Sequence, residues 1–536
     1  MYLKNNITKF IFECSKTEDI NNLYKKFQNI FIKACVKNCP KKEIYNTNDQ
    51  KNGQVWWNNE LEKEIKYRNK LRKKFNRYKS SANADAYKKQ CKRVKKLIRK
   101  YKKLYWCKIN SNKDINSLYK TVKSLKTKKS NILTLQNMNG KKCFSSFDIA
   151  NEISCFFSSI GKTLSNHNEF SVGYKNIQKR LMLKKIKSKN SSKIKKMSET
   201  FEIDIKSIYN IISNLDTKKS HGCDKIEQQM FKNAPKISTF YCYFLYKKII
   251  KLKQIPKMLN TSKIIPIPKE ENEVLPVMKI RPISVLSIVS KILEKIALEQ
   301  LKKIVYKYNI ITNSQTGFMK NKSTYDNLIE LYDNMYTTLK QKKIMCVVFL
   351  DLKKAYDTVD CMYLLKILKK MGFKGQLYDY LKEFLSNRKG KTYINNTYSK
   401  TVDMFHGLPQ GSPLSPLLFN LYINHLLSNI KKVKVKAFAD DIIIYSVSND
   451  PKILEKNITS EITDLYKKSL SMNMFFSENK CKFMTITSKK NIKLNIKLNN
   501  FALEEVDNIK YLGINFDKKI KFDLHLKEIL KNRIND

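Results

Sequence analysis

Proline is missing from a long stretch of this chain. None stands between Pro40 and Pro235, and glycine is sparse throughout, with 12 in 536 residues. Such scarcity leaves room for long helices. Acidic residues are also few: 47 Asp+Glu face 106 Lys+Arg, a formal net charge of +59. A surface so positive attracts a polyanion, held mainly by salt-sensitive counterion release, and nucleic acid is the natural partner. A composition rich in Lys, Asn, Ile and Tyr, as AU-rich codons favour, accounts for a share of that charge. No run approaches the ~20 apolar residues of a membrane span, and the N-terminus, MYLKNNITKFIFECS, lacks the apolar stretch of a signal peptide. An intracellular soluble protein is expected. The twelve cysteines are scattered; Cys35 and Cys39 stand close, as C-x3-C, with no second pair at zinc spacing nearby. Free thiols are expected. A hydrophobic content of 42% is enough for packed cores.

Residues 57 to 110 read as helix, with Leu61, Ile65, Leu71, Phe75, Tyr87, Val94, Leu97 and Tyr101 at three- and four-residue steps among Lys and Arg. Ser80-Ser81-Ala82-Asn83 breaks the pattern into a helical hairpin. Two readings stand for it: a basic pair that grips RNA, or a solvated charged face. Residues 175 to 200, basic and Ser-rich, read as a linker. From about 201 strand-like runs such as SKIIPIP, IMCVVFLD and KVKVKAFADDIIIYS alternate with helical patterns, the mark of an α+β domain.

Two of these strands carry acids where charge is costly. IMCVVFLD ends an apolar run on Asp351, and a carboxylate there needs a cation. KVKVKAFADDIIIYS places Asp440-Asp441 between two strand segments, the pattern of a hairpin with acids at its tip. Adjacent carboxylates raise each other's pKa unless a divalent cation sits between them. Hard oxygen ligands suit Mg²⁺, and three such acids can hold two ions about 4 Å apart, as in nucleotidyl transfer. A strand-terminal Asp and a DD turn are each common as isolated features, and residue spacing alone does not bring Asp351 to Asp440.

Read in order, further blocks change that balance. LDTKKSHGCDKIEQQMFK (215–232), SKIIPIPKEENEVLPVMKIRPISVLSIVSKILEKI (262–296), NSQTGFMKNKSTYDNL (313–328), VVFLDLKKAYDTVD, GLPQGSPLSPLLFNLYIN (407–424), AFADDIIIYS, FSENKCKFM and KYLGINFD (510–517) follow one another. Together they resemble the reverse transcriptases of LINE-like, non-LTR retrotransposons of the jockey type. The resemblance runs from about residue 200 to 520. It implies a right-hand polymerase within the α+β class, with fingers, a palm with an antiparallel sheet and a truncated thumb, preceded by a basic helical region. The implied division is residues 1–130 for that region, which joins endonuclease to polymerase in such elements, 131–200 for a connecting segment, 201–344 for the fingers, 345–517 for the palm, and 518–536 for the start of the thumb.

The resemblance assigns Asp351, Asp440 and Asp441 as metal-binding catalytic acids for two Mg²⁺, with Mn²⁺ as a substitute. Tyr356 falls at the position that excludes a ribose 2′-hydroxyl. Lys269 and Arg281 would neutralise the triphosphate, Arg281 by bidentate contact. Gln410 would shape the nucleotide pocket, and Gly411 would let the backbone approach the template–dNTP pair. Lys480 would protonate pyrophosphate, although Ser477-Glu478-Asn479-Lys480-Cys481 departs from the family's N-P-x-K-T. Gly513 would turn the primer-grip hairpin. VWWNNEL (55–61) resembles the segment after the endonuclease, with Trp56 and Trp57 as packing residues. The implied reaction adds dNTPs to the 3′-hydroxyl of nicked DNA on the element's RNA, in a ribonucleoprotein assembled in the cytoplasm and acting in the nucleus, with an endonuclease supplied elsewhere. Three alternatives remain open from the residues: an RNA-dependent RNA polymerase, a group II intron maturase, and an inactive remnant that only binds RNA.

Overall fold

The computed structural model describes residues 2–38, 58–111, 134–166, 191–270 and 274–535. They fall into two units, residues 38–131 and all the rest. The fold is mixed α+β, and no described helix is long and apolar enough to cross a membrane.

The centre of the larger unit is a five-stranded sheet. Its strands are β1 (Ile344–Leu350), β2 (Lys434–Phe438), β3 (Asp441–Ser448), β4 (Lys482–Thr487) and β5 (Glu504–Glu505), in the order β2-β3-β1-β4-β5. Every pairing is antiparallel except β4 with β5. All seven residues of β1 are buried, which is why the run is apolar without alternation. Its side chains nevertheless divide by face. Ile344, Cys346, Val348 and Leu350 enter the main core, where they join the helices Ser415–Leu427 and Pro451–Ser471. Met345, Val347 and Phe349 enter a second core with Leu328, Leu331 and Met335 from the helix Thr324–Lys340. That helix starts with a reciprocal capping box between Ser323 and Asp326. The helix Ser415–Leu427 is apolar nearly all round and runs through the core.

A second sheet, built on Thr261–Pro268, Ile280–Val285 and Lys389–Ile394, flanks the first in sequence. The basic segment expected as a linker over 175–200 is in part ordered. Residues 175–190 lie outside the described set, but Ser191–Ser198 is a helix with Ile194 buried. Its first turn lies so close to Gly372 that a Cβ there would come 2.4 Å from the Ser191 carbonyl oxygen.

The first 37 residues, read from sequence as part of the basic helical region, belong to the larger unit. The helices Tyr2–Lys16 and Ile20–Asn38 bury Phe10, Phe27 and Phe31 against Phe231 and Tyr241. The Tyr24 hydroxyl donates to Asp224 at 2.7 Å, Ser287 donates to the same oxygen, and Gln28 donates to the Asp224 carbonyl at 2.7 Å. Desolvation holds the Asp224 carboxyl above its ordinary pKa. A single buried acid thus ties the N-terminal helices and the SHGCDK block to the cap of the helix Ile288–Lys307.

The smaller unit is a helical pair, Asn59–Arg77 and Ser81–Ser111, broken at Tyr78–Ser80. Glu64 meets Gln90 and Arg93, while Phe75 stacks on Tyr87 nearer the turn, so the helices run antiparallel. Leu61 and Val94 are buried, and most of the Lys and Arg side chains are exposed. Trp56, Trp57 and Cys39 lie outside the described residues.

Asp224→Ala should lower stability by about 2–4 kcal/mol, because it strands two buried hydroxyl donors. Thermal unfolding of the full chain measures this, and an unchanged Tm would remove Asp224 from the role of a hub.

Candidate active site

The central sheet brings the acids together. In the β1–β3 ladder Ile442 faces Leu350, so continuing the register by one residue sets Asp441 opposite Asp351. Residues directly opposed in such a ladder have Cβ atoms about 4.5–5.5 Å apart. Asp440 precedes Asp441 in the turn between β2 and β3. Phe438 pairs with Asp441, leaving a two-residue loop of Ala439 and Asp440, with Ala439 at φ +56°.

The acids feel one another. Burial raises the Asp440 pKa and the Asp351 charge raises it further, with the Arg281 guanidinium as a partial offset. Asp441 is pushed up to about 6 by desolvation, then by Asp440 and Asp351. The Lys480 ammonium lies 3.6 Å from Asp351, and both groups are open to solvent. Asp351 and Asp441 line a groove of about 580 Å³ with Lys480, Lys482, Lys510 and Tyr511. Asp351 is fixed through its backbone: its amide donates to the Cys481 sulfur at 3.4 Å and its carbonyl accepts from the Ser477 amide at 2.8 Å.

Among the described residues no three His, Cys, Asp or Glu side chains converge to hold a metal ion by themselves. The charge pattern still fits a divalent cation: neighbouring carboxylates raise each other's pKa, and one or two such groups with substrate phosphates are what Mg²⁺ accepts.

The other candidates stand around the acids. Tyr356 lies in the turn Ala355–Thr358, stacked on Phe419 with centroids 4.2 Å apart and planes 14° apart. Its hydroxyl is buried with no hydrogen-bond partner among the described residues, and burial and the Asp440 charge raise its pKa. Gln410 donates to the Asp357 carboxylate at 2.8 Å, and its carbonyl accepts from the Ser284 amide at 2.8 Å. Gly411 has φ +132°, and a Cβ on it would stand 2.4 Å from the Ser284 carbonyl oxygen. Its glycine is therefore required by the close approach of the strand Ile280–Val285. Arg281 and Lys269 are both exposed; Arg281 acts on Asp440, whereas Lys269 acts on Asp357 and Lys354. The structure thus divides the two cations between different acids. Gly513 and Leu512, both with positive φ, form the two-residue turn of the hairpin Asn508–Tyr511/Ile514–Asp517.

Sequence reasoning passed over Asp357, Lys354, Cys481 and Gln315. Asp357 is held above its ordinary pKa by burial, and burial brings Lys354 down to about 8. The signal for the first two was present in LKKAYD, a charge cluster one turn beyond Asp351. Nothing local marks Cys481, and Gln315 stands within the quoted NSQTGF block without a role read for it.

Residues 267–516 match the family model described as reverse transcriptase (RNA-dependent DNA polymerase). The chain carries a reverse transcriptase domain. It is 28% identical over 336 residues to a probable RNA-directed DNA polymerase from transposon BS of Drosophila melanogaster, covering 61% of this chain and 37% of that relative. It is 22% identical over 531 residues to the RNA-directed DNA polymerase from mobile element jockey of Drosophila funebris, covering 96% of this chain and 56% of that relative. A polyprotein from type-1 retrotransposable element R2 of Popillia japonica is 25% identical over 207 residues, covering 36% of this chain and 28% of the relative. The chain thus spans between about a quarter and just over half the length of these relatives. The acids lie inside the matched domain, and the jockey-type non-LTR kinship expected from the motif order is supported.

The raised Asp441 pKa has a consequence for stability. Its folded value of about 6 lies above the ~3.9 of an unfolded Asp. The folded state then holds its proton more tightly, so this contribution is full below about pH 4 and is lost as pH rises through about 6. Asp441→Asn should therefore raise the Tm of the metal-free protein by about 1–3 °C at pH 7.5 and leave it unchanged at pH 4. Equal shifts at both pH values would dismiss the electrostatic account.

Proposed function

We propose that this chain copies RNA into DNA, adding dNTPs to a primer 3′-hydroxyl. The observation that carries the reading is the strand register that sets Asp441 opposite Asp351, with Asp440 beside it in the turn, next to a lysine-lined groove and inside the segment that matches the reverse transcriptase family model. On this reading the central sheet is the palm of a right hand, the second sheet with Lys269 and Arg281 belongs to the fingers, and the helix Asp523–Asn535 begins the thumb.

Two Mg²⁺ ions, when bound, would activate the 3′-hydroxyl and stabilise the leaving pyrophosphate. Asp351, Asp440 and Asp441 would hold them, and bound cations would offset the repulsion that raises the Asp440 and Asp441 pKa. Arg281 stands by Asp440 and balances the charge of the triphosphate. Tyr356, held flat on Phe419, presents a rigid ring beside Asp440 that excludes a 2′-hydroxyl. Lys480 hovers at Asp351 without substrate and is placed to give a proton to the leaving group. Lys482 and Lys510 extend the positive wall along which a nucleic-acid strand would lie. The exposed cations of the helical pair Asn59–Arg77 and Ser81–Ser111 add a separate surface for template RNA. For retrotransposition the primer would be nicked DNA and the template the element's own RNA.

Primer extension on poly(rA)/oligo(dT) with Mg²⁺ tests the reading directly: dTTP incorporation is expected, and none by well-folded protein would sink it. Asp440→Asn should abolish synthesis and leave RNA binding within about twofold; an equal loss of both would show that Asp440 is not a metal ligand. Tyr356→Val should raise rNTP incorporation at least tenfold relative to dNTP, measured by single-nucleotide extension, and unchanged sugar selectivity would remove the role of the ring.

A further inference from the structure

The turn that carries two of the acids is gripped by a side chain far away in sequence. Gln315, in the NSQTGF segment, is 2% exposed. Its Oε1 accepts from the Ala439 amide at 3.0 Å and from the Gly317 amide at 2.9 Å, while its Nε2 donates to the Ala439 carbonyl at 3.2 Å. One amide side chain therefore takes both backbone polar groups of Ala439. The segment around it is seated with equal care. The Thr316 amide donates to the Ala437 carbonyl at 2.9 Å, and the Ala437 amide donates to the Ser314 carbonyl at 2.7 Å. A Cβ at Gly317 would stand 2.4 Å from the Ala439 nitrogen, so this approach requires glycine. Behind it Asn420, fully buried on the helix Ser415–Leu427, donates to the Gly317 carbonyl at 2.6 Å.

Ala439 needs such a grip. At φ +56° it occupies the left-handed region, which disfavours a residue with a Cβ. It is the first of two loop residues, where a hairpin turn with one positive φ normally has glycine. Strain of this kind persists only where the surroundings over-determine it. A relaxed turn would move Asp440 and Asp441 relative to Asp351, because they follow Ala439 directly.

We propose that Gln315 is a positioning residue for nucleotidyl transfer, which locks Ala439 in its left-handed conformation and so sets the divalent-cation geometry of Asp440 and Asp441. The proposal rests on the reading of those acids given above. Shape is not enough for this role: methionine would fill the same space but offer neither the acceptor nor the donor, while glutamate would keep the acceptors, lose the donor and bring a buried charge.

The test uses the full chain and Gln315→Met, with three readouts: Mn²⁺ binding by electron paramagnetic resonance, amide hydrogen exchange at Ala439, and primer-extension kcat with KM for dTTP. Gln315→Met should weaken Mn²⁺ binding and lower kcat at least tenfold each, with KM for dTTP and RNA affinity within threefold. In the Ala439→Gly background, where the strain is absent, the same substitution should cost much less. A folded Gln315→Met protein with unchanged Mn²⁺ binding overturns the proposal. If that variant does not fold, wild-type exchange decides: an Ala439 amide that exchanges as fast as exposed loop amides overturns it, and a protected one supports it. The proposed activity is judged apart from this. Wild-type protein that binds Mn²⁺ in a Gln315-dependent manner but extends no primer would sink the polymerase reading and leave the grip standing.

Discussion

Like charges gathered at the end of a buried sheet are the constraint around which this molecule is arranged. The Asp351 charge raises the pKa of Asp440 and, with Asp440, that of Asp441, and left to themselves the three would separate. They are kept together by a ladder with no freedom to slip. Strand β1 is buried on both faces and pairs with β3 along its whole length and with β4 up to Phe349, so a one-residue shift would exchange the side chains of two cores. The sheet supplies the rigidity that the acids' repulsion would otherwise undo, and the nearby cations Arg281 and Lys480 moderate it without burying the site.

Around that sheet, buried polar side chains join segments that the chain keeps far apart. Asp224 collects Tyr24, Ser287 and Gln28, which fastens the N-terminal helices to the rest. Glu294, fully buried, accepts from Ser290 and Ser412 and so anchors the loop that bears Gln410 and Gly411. Asp357 accepts from Gln410. Each of these carboxyls is pushed above its ordinary pKa by desolvation and earns its place by hydrogen bonds. Gln315 does the same work without a charge, on the turn that matters most for the acids.

Much of this was legible in the sequence, and unevenly so. The apolar run before Asp351 and the two strand segments flanking Asp440-Asp441 announced a buried strand and a hairpin, because burial and alternation are local properties. The helical pair over 57–110 was legible for the same reason, and its break moved by about two residues. The helical character of the N-terminal segment was legible too, but its attachment to the larger unit was not, since the aromatic partners of Phe27 and Phe31 lie some two hundred residues on. The close approach of the Ser284 carbonyl, a second reason for glycine at position 411, was not legible either. Sequence separation was the obstacle in each case: a residue that acts through a neighbour more than a hundred positions away leaves no periodicity to read.

What the sequence by itself determined is the chemistry and its order along the chain: three acids on strand ends, an aromatic after the first, cations before them, and an excess of positive charge that calls for nucleic acid. These follow from residue type and short-range pattern. Only the tertiary structure decided that Asp441 stands opposite Asp351, that the Arg281 charge bears on Asp440 and the Lys269 charge on Asp357, and that Gln315 grips Ala439. Those pairings depend on strand register and on contacts between distant segments, and such contacts form only when the cores on both faces of the sheet have closed.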